Sequence, residues 1–257
     1  MSQRTGIEWT DSTWNPVTGC TQVSSGCDNC YALILAHRLL GPTYTKHPPE
    51  VDTPSNRADP FAVRIWNQRL AEPLTWRKPR RVFVNSMSDL FHVDVPEDFI
   101  RAVFEVMTRS PQHIFQVLTK RPARLARFIK RNVDLFLEER VPAHIWLGTS
   151  VENQAVAFRI EQLKRVHASV RFLSCEPLLG PVSAELSGIH WVIAGGESGI
   201  KHRRLELEWV RTLRDECTRT ATPFFFKQVG GRTPKAGGRV LDGRTWDQYP
   251  SVVGSQA

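Results

Sequence analysis

Residues 81–89 read RVFVNSMSD. Val82, Phe83 and Val84 form a short run of β-branched and aromatic residues, and Asn85, Ser86, Met87, Ser88 and Asp89 end it with mostly polar side chains. That is the pattern of a buried strand with functional groups at its carboxyl end. Five further runs repeat it: HIFQVL at 113–118, HIWLG at 144–148, VRFLS at 170–174, HWVIA at 190–194 and TPFFFK at 222–227. Their starts are 32, 31, 26, 20 and 32 residues apart, the length of a strand–helix repeat.

Helical patterns fill most of the gaps. Pro96-Glu97-Asp98 opens one, with acids placed well for the helix dipole and an apolar face of Phe99, Val103, Phe104 and Met107. Others carry Leu125, Phe128 and Ile129; Val156, Ile160, Leu163 and Val166; and Leu207, Val210, Leu213 and Cys217, which makes Cys217 a packing residue. The connection 179–189 has room for only a stunted helix. With a further strand expected near Ser12–Val17, the chain reads as α/β with a parallel sheet. Residues 41–80 interrupt the pattern as a Pro-rich insertion or lid. The Gly-rich, basic stretch 229–257 reads as a carboxyl-terminal extension that covers part of the fold. At 257 residues, one domain over 1–257 is the simplest organisation.

The cysteines carry the strongest chemical signal. Cys20, Cys27 and Cys30 form C-x6-C-x2-C in WNPVTGCTQVSSGCDNCYA, where Pro16, Gly19, Ser24, Ser25, Gly26 and Asn29 impose a loop. A loop can turn three thiolates toward one centre. Three thiolates without a clear fourth ligand suit an iron–sulfur cluster with one iron left open. A structural zinc needs a fourth ligand, for which His37 and His47 are the nearest candidates, and simple packing is the remaining option. Five cysteines in all, with no export signal, argue against a disulfide framework.

In parallel α/β folds ligand chemistry collects at the carboxyl ends of the strands. Here those ends carry Ser86, Met87 and Asp89; Thr119, Lys120 and Arg121; Thr149, Ser150, Glu152 and Asn153; Cys175 and Glu176; Gly195, Gly196, Glu197 and Ser198; and Lys227 and Gln228. The Gly195–Gly196 pair would let a ligand approach the backbone closely.

Composition bounds the rest. With 41% hydrophobic and 23% charged residues the chain is ordinarily globular, neither disordered nor collagen-like. It has no apolar run long enough for a membrane span and no visible secretory signal, so a cytoplasmic location is expected, with no membrane partner. A net charge of +8 suits an anionic partner.

The motifs IEWTDSTWNPVTGC, SGCDNCYA, NSMSDLFH, LTKRP, GTSVEN, SCEPLLG, GGESG and FFFKQVGGRTPKAGGRVLDGRTWDQYP together resemble the phage Gp37/Gp68 family, catalogued as a domain of unknown function. That family looks like a branch of the radical S-adenosylmethionine superfamily, whose commonest cluster spacing is C-x3-C-x2-C. The resemblance implies a partial (βα)6 TIM-like barrel and a [4Fe–4S] cluster on Cys20, Cys27 and Cys30, with the methionine part of S-adenosyl-L-methionine on the fourth iron. It implies reductive cleavage to a 5′-deoxyadenosyl radical, fed by an electron donor such as flavodoxin or ferredoxin. By the same analogy Ser86, Met87 and Asp89 meet the cofactor's amino group, and Ser150 and Glu152 meet the ribose, where a carboxylate accepts two hydroxyl bonds well. Gly195, Gly196 and Glu197 frame the adenine or the substrate. Glu176, Lys120 and Lys227 face the substrate as proton carriers or anion contacts. Cys175 would be a hydrogen-atom source, or else a buried structural thiol.

Basic runs at 77–81 and 201–204 could contact phosphates, which with the net charge points to nucleic acid or a nucleotide as substrate. A peptide partner is the rival within that activity. Two other classes stay open: a zinc-containing nucleic-acid-binding protein without catalysis, and a zinc-dependent barrel hydrolase, for which Asp11 and Asp28 are the nearest acids.

Overall fold

In the computed structural model, which describes residues 5–233 and 235–251, seven strands stand side by side in chain order. The elements are β1 Ser12–Trp14, β2 Val17–Thr18, α1 Tyr31–Leu35, α2 Gly41–Tyr44, α3 Pro54–Ala58, β3 Arg64–Ile65, β4 Arg81–Val84, α4 Glu97–Thr108, β5 Ile114–Thr119, α5 Pro122–Arg131, β6 Ile145–Ser150, α6 Phe158–Lys164, β7 Arg171–Cys175, β8 Trp191–Gly195, α7 Leu207–Arg219 and β9 Phe224–Gln228. The main sheet runs β1-β4-β5-β6-β7-β8-β9, every pair parallel. This is a partial TIM-like barrel, with β1 and β9 as its free edges. It has seven strands where the resemblance implied six.

Three details differ from the sequence pattern. Pro16 has no N–H to give to a ladder, so the stretch 12–18 splits: β1 joins the main sheet, and β2 pairs antiparallel with β3. The strands run one or two residues further than the apolar runs, so Thr119, Ser150, Cys175, Gly195 and Gln228 are the last ladder positions, not loop residues. Residues 176–190 hold no helix.

Period-2 alternation divides the side chains. On β8, Val192 and Ala194 join the large core beneath the helices, whereas Trp191 and Ile193 join a second cluster with Trp9, Phe83, Trp146, Phe172 and Phe225 on the opposite, lumenal face. Trp191 is the hub: its ring centroid lies 5.6 Å from Trp146, 5.7 Å from Phe172 and 5.2 Å from Tyr249. Gly148 makes room for this plug, since a Cβ there would sit 2.5 Å from the Phe172 ring.

The two irregular segments brace the sheet. In 41–80 the fully buried Arg64 donates to the carbonyls of His47, Asp59, Ala62 and Asn56, so a buried cation organises the segment through backbone oxygens. Trp66 Nε1 donates to Thr18 Oγ1 at 2.8 Å. The segment is a buttress under the start of the cysteine loop. The tail covers the β9 edge: Phe226 N–H donates to Trp246 O and Gln248 N–H to Phe224 O, which removes an exposed edge. Among the described residues no helix is long and apolar enough to cross a membrane.

Replacing Trp191 by Ala empties the hub of the lumenal plug and is expected to cost about 3–5 kcal/mol in urea unfolding. Leu39→Ala, at a side chain 68% exposed, should stay near wild type. Equal midpoints for Trp191→Ala and wild type would contradict this packing.

Candidate functional site

The loop 19–30 leaves β2 and crosses the carboxyl-end rim of the sheet. Gly19 starts it at φ +86°, where a Cβ would lie 2.2 Å from Ala62 O, so only glycine fits. Its N–H donates to Met87 O, and Cys20 N–H donates to Phe61 O. A 3₁₀ turn at Ser25–Cys27 follows, and Cys30 sits at the start of α1. Cys20, Cys27 and Cys30 are free thiols, each partly exposed, and Cys20 and Cys30 pack against a small cluster that includes Met87, Phe61 and Ala32.

Three carboxylates from three strand ends hold this loop along its length. After β4, Asp89 accepts from Thr119 Oγ1 (2.7 Å), Phe91 N–H (2.9 Å), Lys120 N–H (3.1 Å) and Arg121 Nη1 (2.8 Å). Arg121 also donates to Thr21 O at 3.1 Å and approaches Cys20 Sγ at 3.6 Å. After β6, Glu152 Oε1 accepts from the Ser24 hydroxyl and from Gly26 N–H, while Oε2 accepts from Arg159 Nη1 at 3.0 Å. After β8, Glu197 accepts from Asn29 Nδ2 (2.8 Å), Arg203 N–H (2.8 Å) and Arg203 Nη2 (2.5 Å). Arg203 reaches on to Ser25 O and Asp28. Each carboxylate is buried, each is matched by an arginine, and the three arginines neutralise them.

The electrostatics follow from this packing. Burial, reinforced by Asp89 and opposed by Arg121, pushes the Cys20 thiol up to about 11, so it is protonated at neutral pH. Burial works to raise the Glu197 carboxyl, but hydrogen bonds from Arg203 and Asn29 win and hold it below the usual carboxylate range. Thr21 Oγ1 lies 2.8 Å from Nε2 of the buried His92, whose pKa is lowered first by burial and then by Arg121.

The expected cofactor and substrate residues occupy this rim with altered roles. Asp89, Glu152 and Glu197 have their oxygens taken by the clamp, so in this structure Glu152 is an anchor of the cysteine loop and not a free ribose acceptor. Ser86 and Met87 do line the mouth: the Ser86 hydroxyl and Met87 N–H both donate to Asn15 Oδ1, and the Tyr31 hydroxyl donates to Ser86 O. Ser150 is buried at the end of β6, its carbonyl bound by Arg159. The glycines serve packing: a Cβ on Gly195 would meet Glu176 Oε1 at 2.7 Å, and one on Gly196 would meet Val229 O at 1.8 Å. Glu176 is held by Lys227 Nζ at 3.1 Å and Trp9 Nε1 at 3.2 Å, and these three groups form the polar layer above the aromatic plug. Lys120 is half-buried, its N–H on Asp89. Cys175 belongs to the helix-side core, fully buried beside Cys217, with its thiol pKa raised by burial, and so is separated from the lumen by the sheet.

The basic runs also resolve. Arg80 precedes β4 and Arg81 opens it, at the opposite end of the barrel from the loop, where Arg81 pairs with Asp11 and stacks 4.3 Å over Tyr249. Arg203 of the second run is a clamp residue. Asn15, Tyr31, Arg159 and Trp9 join the site unannounced. Only Tyr31, directly after Cys30, had a positional signal. Among the described residues no three His, Cys, Asp or Glu side chains stand gathered as a ready-made metal-holding group.

Glu152→Ala leaves Arg159 buried and unpaired, so a stability loss of roughly 3–5 kcal/mol is expected. Arg203→Ala, at a partly exposed pair, should cost under about 1 kcal/mol yet raise hydrogen exchange of residues 24–29 at least tenfold. Unchanged exchange in Arg203→Ala would remove the clamp at Glu197.

No curated protein matches the chain. Among solved structures it is similar to spore photoproduct lyase complexed with dinucleoside spore photoproduct, at 12% sequence identity and a TM-score of 0.46, over 85% of this chain. The match spans 64% of that longer chain. A family model described as protein of unknown function (DUF5131) matches residues 4–250, and the chain belongs to that family.

Proposed function

We propose that this protein is a radical S-adenosylmethionine-type enzyme in which Cys20, Cys27 and Cys30 hold a [4Fe–4S] cluster at the mouth of the partial barrel, acting on a nucleotide or nucleic acid. The observation that carries the reading is the clamp: a loop of three free thiols is fastened across the carboxyl-end rim by three buried carboxylates, each paired with an arginine, directly above the lumen. The donor set fits the group. The loop offers thiols, while the nearby acids Asp28 and Asp89 and the imidazole of His92 already have partners, which favours a sulfur-ligated iron cluster over zinc with mixed ligands. Thiolate ligands are gathered by the metal they bind, so the loop would draw its three sulfurs together on taking up a cluster.

Such a cluster supplies, when bound, the low-potential electron for reductive cleavage of a sulfonium, replenished by a flavodoxin- or ferredoxin-type donor. The chain's own residues do the remaining work. Arg121 places a positive N–H beside Cys20 and favours its thiolate. Ser86, Met87 and Asn15 present a fixed polar edge for the methionine end of the cofactor, with Ser150, Gly195 and Gly196 bordering it on the later strands. The aromatic plug centred on Trp191 excludes water from the lower lumen. Glu176 and Lys227 face one another across that lumen and can hold or pass a proton at Lys227 Nζ.

Anaerobically reconstituted protein is expected to be brown, absorb near ~400 nm and carry about four irons per chain. Cys→Ala at any one of positions 20, 27 and 30 should abolish 5′-deoxyadenosine formation from S-adenosylmethionine. A colourless preparation with one zinc, or undiminished 5′-deoxyadenosine in the variants, would overturn the proposal. Lys227→Met should keep iron content and S-adenosylmethionine cleavage but lower substrate conversion by about 10²–10⁴-fold, read as product per 5′-deoxyadenosine. Conversion at the wild-type ratio would take Lys227 out of the chemistry.

A further inference from the structure

The helical segment that follows Cys30 shows an apolar stripe to solvent. Among the described residues twelve large hydrophobic side chains are exposed, and five of them lie between Val23 and Leu39. Tyr31 turns its hydroxyl to Ser86 O and belongs to the mouth. Ile34 (43% exposed), Leu35 (36%) and Leu39 (68%) form the stripe itself. Ala32 and Ala36 of the same segment are buried in a cluster with Met87, Phe61 and Trp66, so the packed side of the helix is already used. The backbone widens to a π-helix over Ala36–Leu40, and Leu35 and Leu39, four residues apart, stay on the free side.

Charge around the stripe has one sign. From Asn29 to Pro49 the chain holds no acid, but it holds Arg38 and Lys46. Arg38 is exposed beside Leu39. Asn29 Nδ2 donates to Lys201 O at 3.0 Å, which brings the exposed Lys201 and the 80% exposed Ile200 against the cysteine loop. The flanking acids Asp28 and Asp59 already face Arg203 (3.1 Å) and His37 (3.4 Å). Among the described residues neither Arg38 nor Lys201 stands in an ion pair.

Place, chemistry and size select the occupant. Ile34 N–H donates to Cys30 O at 3.1 Å, so the stripe begins one turn from a thiol of the loop. At the rise of a helix even Leu39 lies within about 14 Å of Cys30 along the axis. A nucleic acid needs aromatic planes on which its bases can stack, and aliphatic side chains give it none. A second copy of this face would set cation against cation. The patch is small, on the scale of a transient redox encounter and not of a permanent interface. An apolar centre with a basic rim suits an acidic protein that visits briefly.

We propose that Ile34, Leu35, Arg38 and Leu39, with Ile200 and Lys201 at the edge, form the docking surface for an acidic one-electron carrier protein of the flavodoxin or ferredoxin class. The carrier loses one electron and the cluster on Cys20, Cys27 and Cys30 gains it; no bond forms or breaks at the surface. The assignment rests on the function proposed above.

The iron-reconstituted full chain is assayed for 5′-deoxyadenosine formation with two kinds of reductant: reduced flavodoxin or ferredoxin, which must dock, and dithionite, which need not. Arg38→Glu and Leu39→Ser should each raise the KM for the carrier by about tenfold or more, with iron content and the dithionite-driven rate at wild type. Leu137→Ser, at an apolar side chain 88% exposed elsewhere, should change neither. Added salt should raise the wild-type KM for the carrier and affect Arg38→Glu less. An equal carrier KM in wild type, Arg38→Glu and Leu39→Ser overturns the surface and leaves the radical enzyme in place. So does a matching fall in the dithionite-driven rate, which would make these residues supports of the cluster. So does binding to anionic phospholipid vesicles that Leu39→Ser abolishes at unchanged carrier KM, which would make the stripe a membrane contact. No 5′-deoxyadenosine even with dithionite rejects the radical enzyme itself, and the carrier surface with it.

Discussion

The rest of the site depends on the pairing of Asp89, Glu152 and Glu197 with Arg121, Arg159 and Arg203. A loop rich in Gly, Ser and Asn has little apolar surface and cannot hold itself down by burial. Strand ends, by contrast, are rigid, and a carboxylate on a strand end is a fixed acceptor. Spaced along β4, β6 and β8, three such acceptors receive the loop's own donors at Ser24, Gly26 and Asn29, and the first works through Arg121 on Thr21 and Cys20. The arginines make this tenable. Three buried carboxylates without them would leave charge stranded at a water-poor rim.

This arrangement divides the barrel mouth by task. The carboxylates are engaged by the loop and the arginines, and in the proposed function the groups left for chemistry are the thiols, the Ser86–Met87 edge and the Glu176–Lys227 pair. Below them the Trp191 plug closes the lumen, and beside them a cavity lies between the amino-terminal segment, β9 and the tail. An incomplete barrel gives the molecule two approaches to one polar layer: the mouth, capped by the cysteine loop, and the side. The tail that shields the β9 edge from pairing also builds a wall of that side cavity.

Much of this was legible beforehand, and the parts that were not have identifiable causes. The six apolar runs mark the strands because a strand buried on both faces is predominantly apolar, with the fully buried Gln116 of β5 an exception. Their ends were set one or two residues short because Thr119, Ser150 and Gln228 are polar yet still in the ladder. The sequence shows the rim carboxylates but not the arginines and loop donors that engage them, since a carboxylate seen in sequence has no visible partner. Arg203 looked like a phosphate contact for the same reason. Cys175 is the last residue of β7, where the pleat turns it to the helix side, and a shift of one position exchanges lumen for core.

The sequence by itself determined the repeat of strand and helix, the parallel order and the loop that carries the three cysteines, because each depends on local patterning of a few neighbouring residues. Only the tertiary structure decided which polar groups were already satisfied and which remained free. Hydrogen bonding is a matter of proximity in space: Asn29 and Glu197 are 168 residues apart and meet at 2.8 Å, while Gln228 keeps a bare carbonyl oxygen a few residues from a crowded rim. Saturation of that kind is settled when the chain closes on itself, so the difference between a structural carboxylate and a waiting one is written only in the fold.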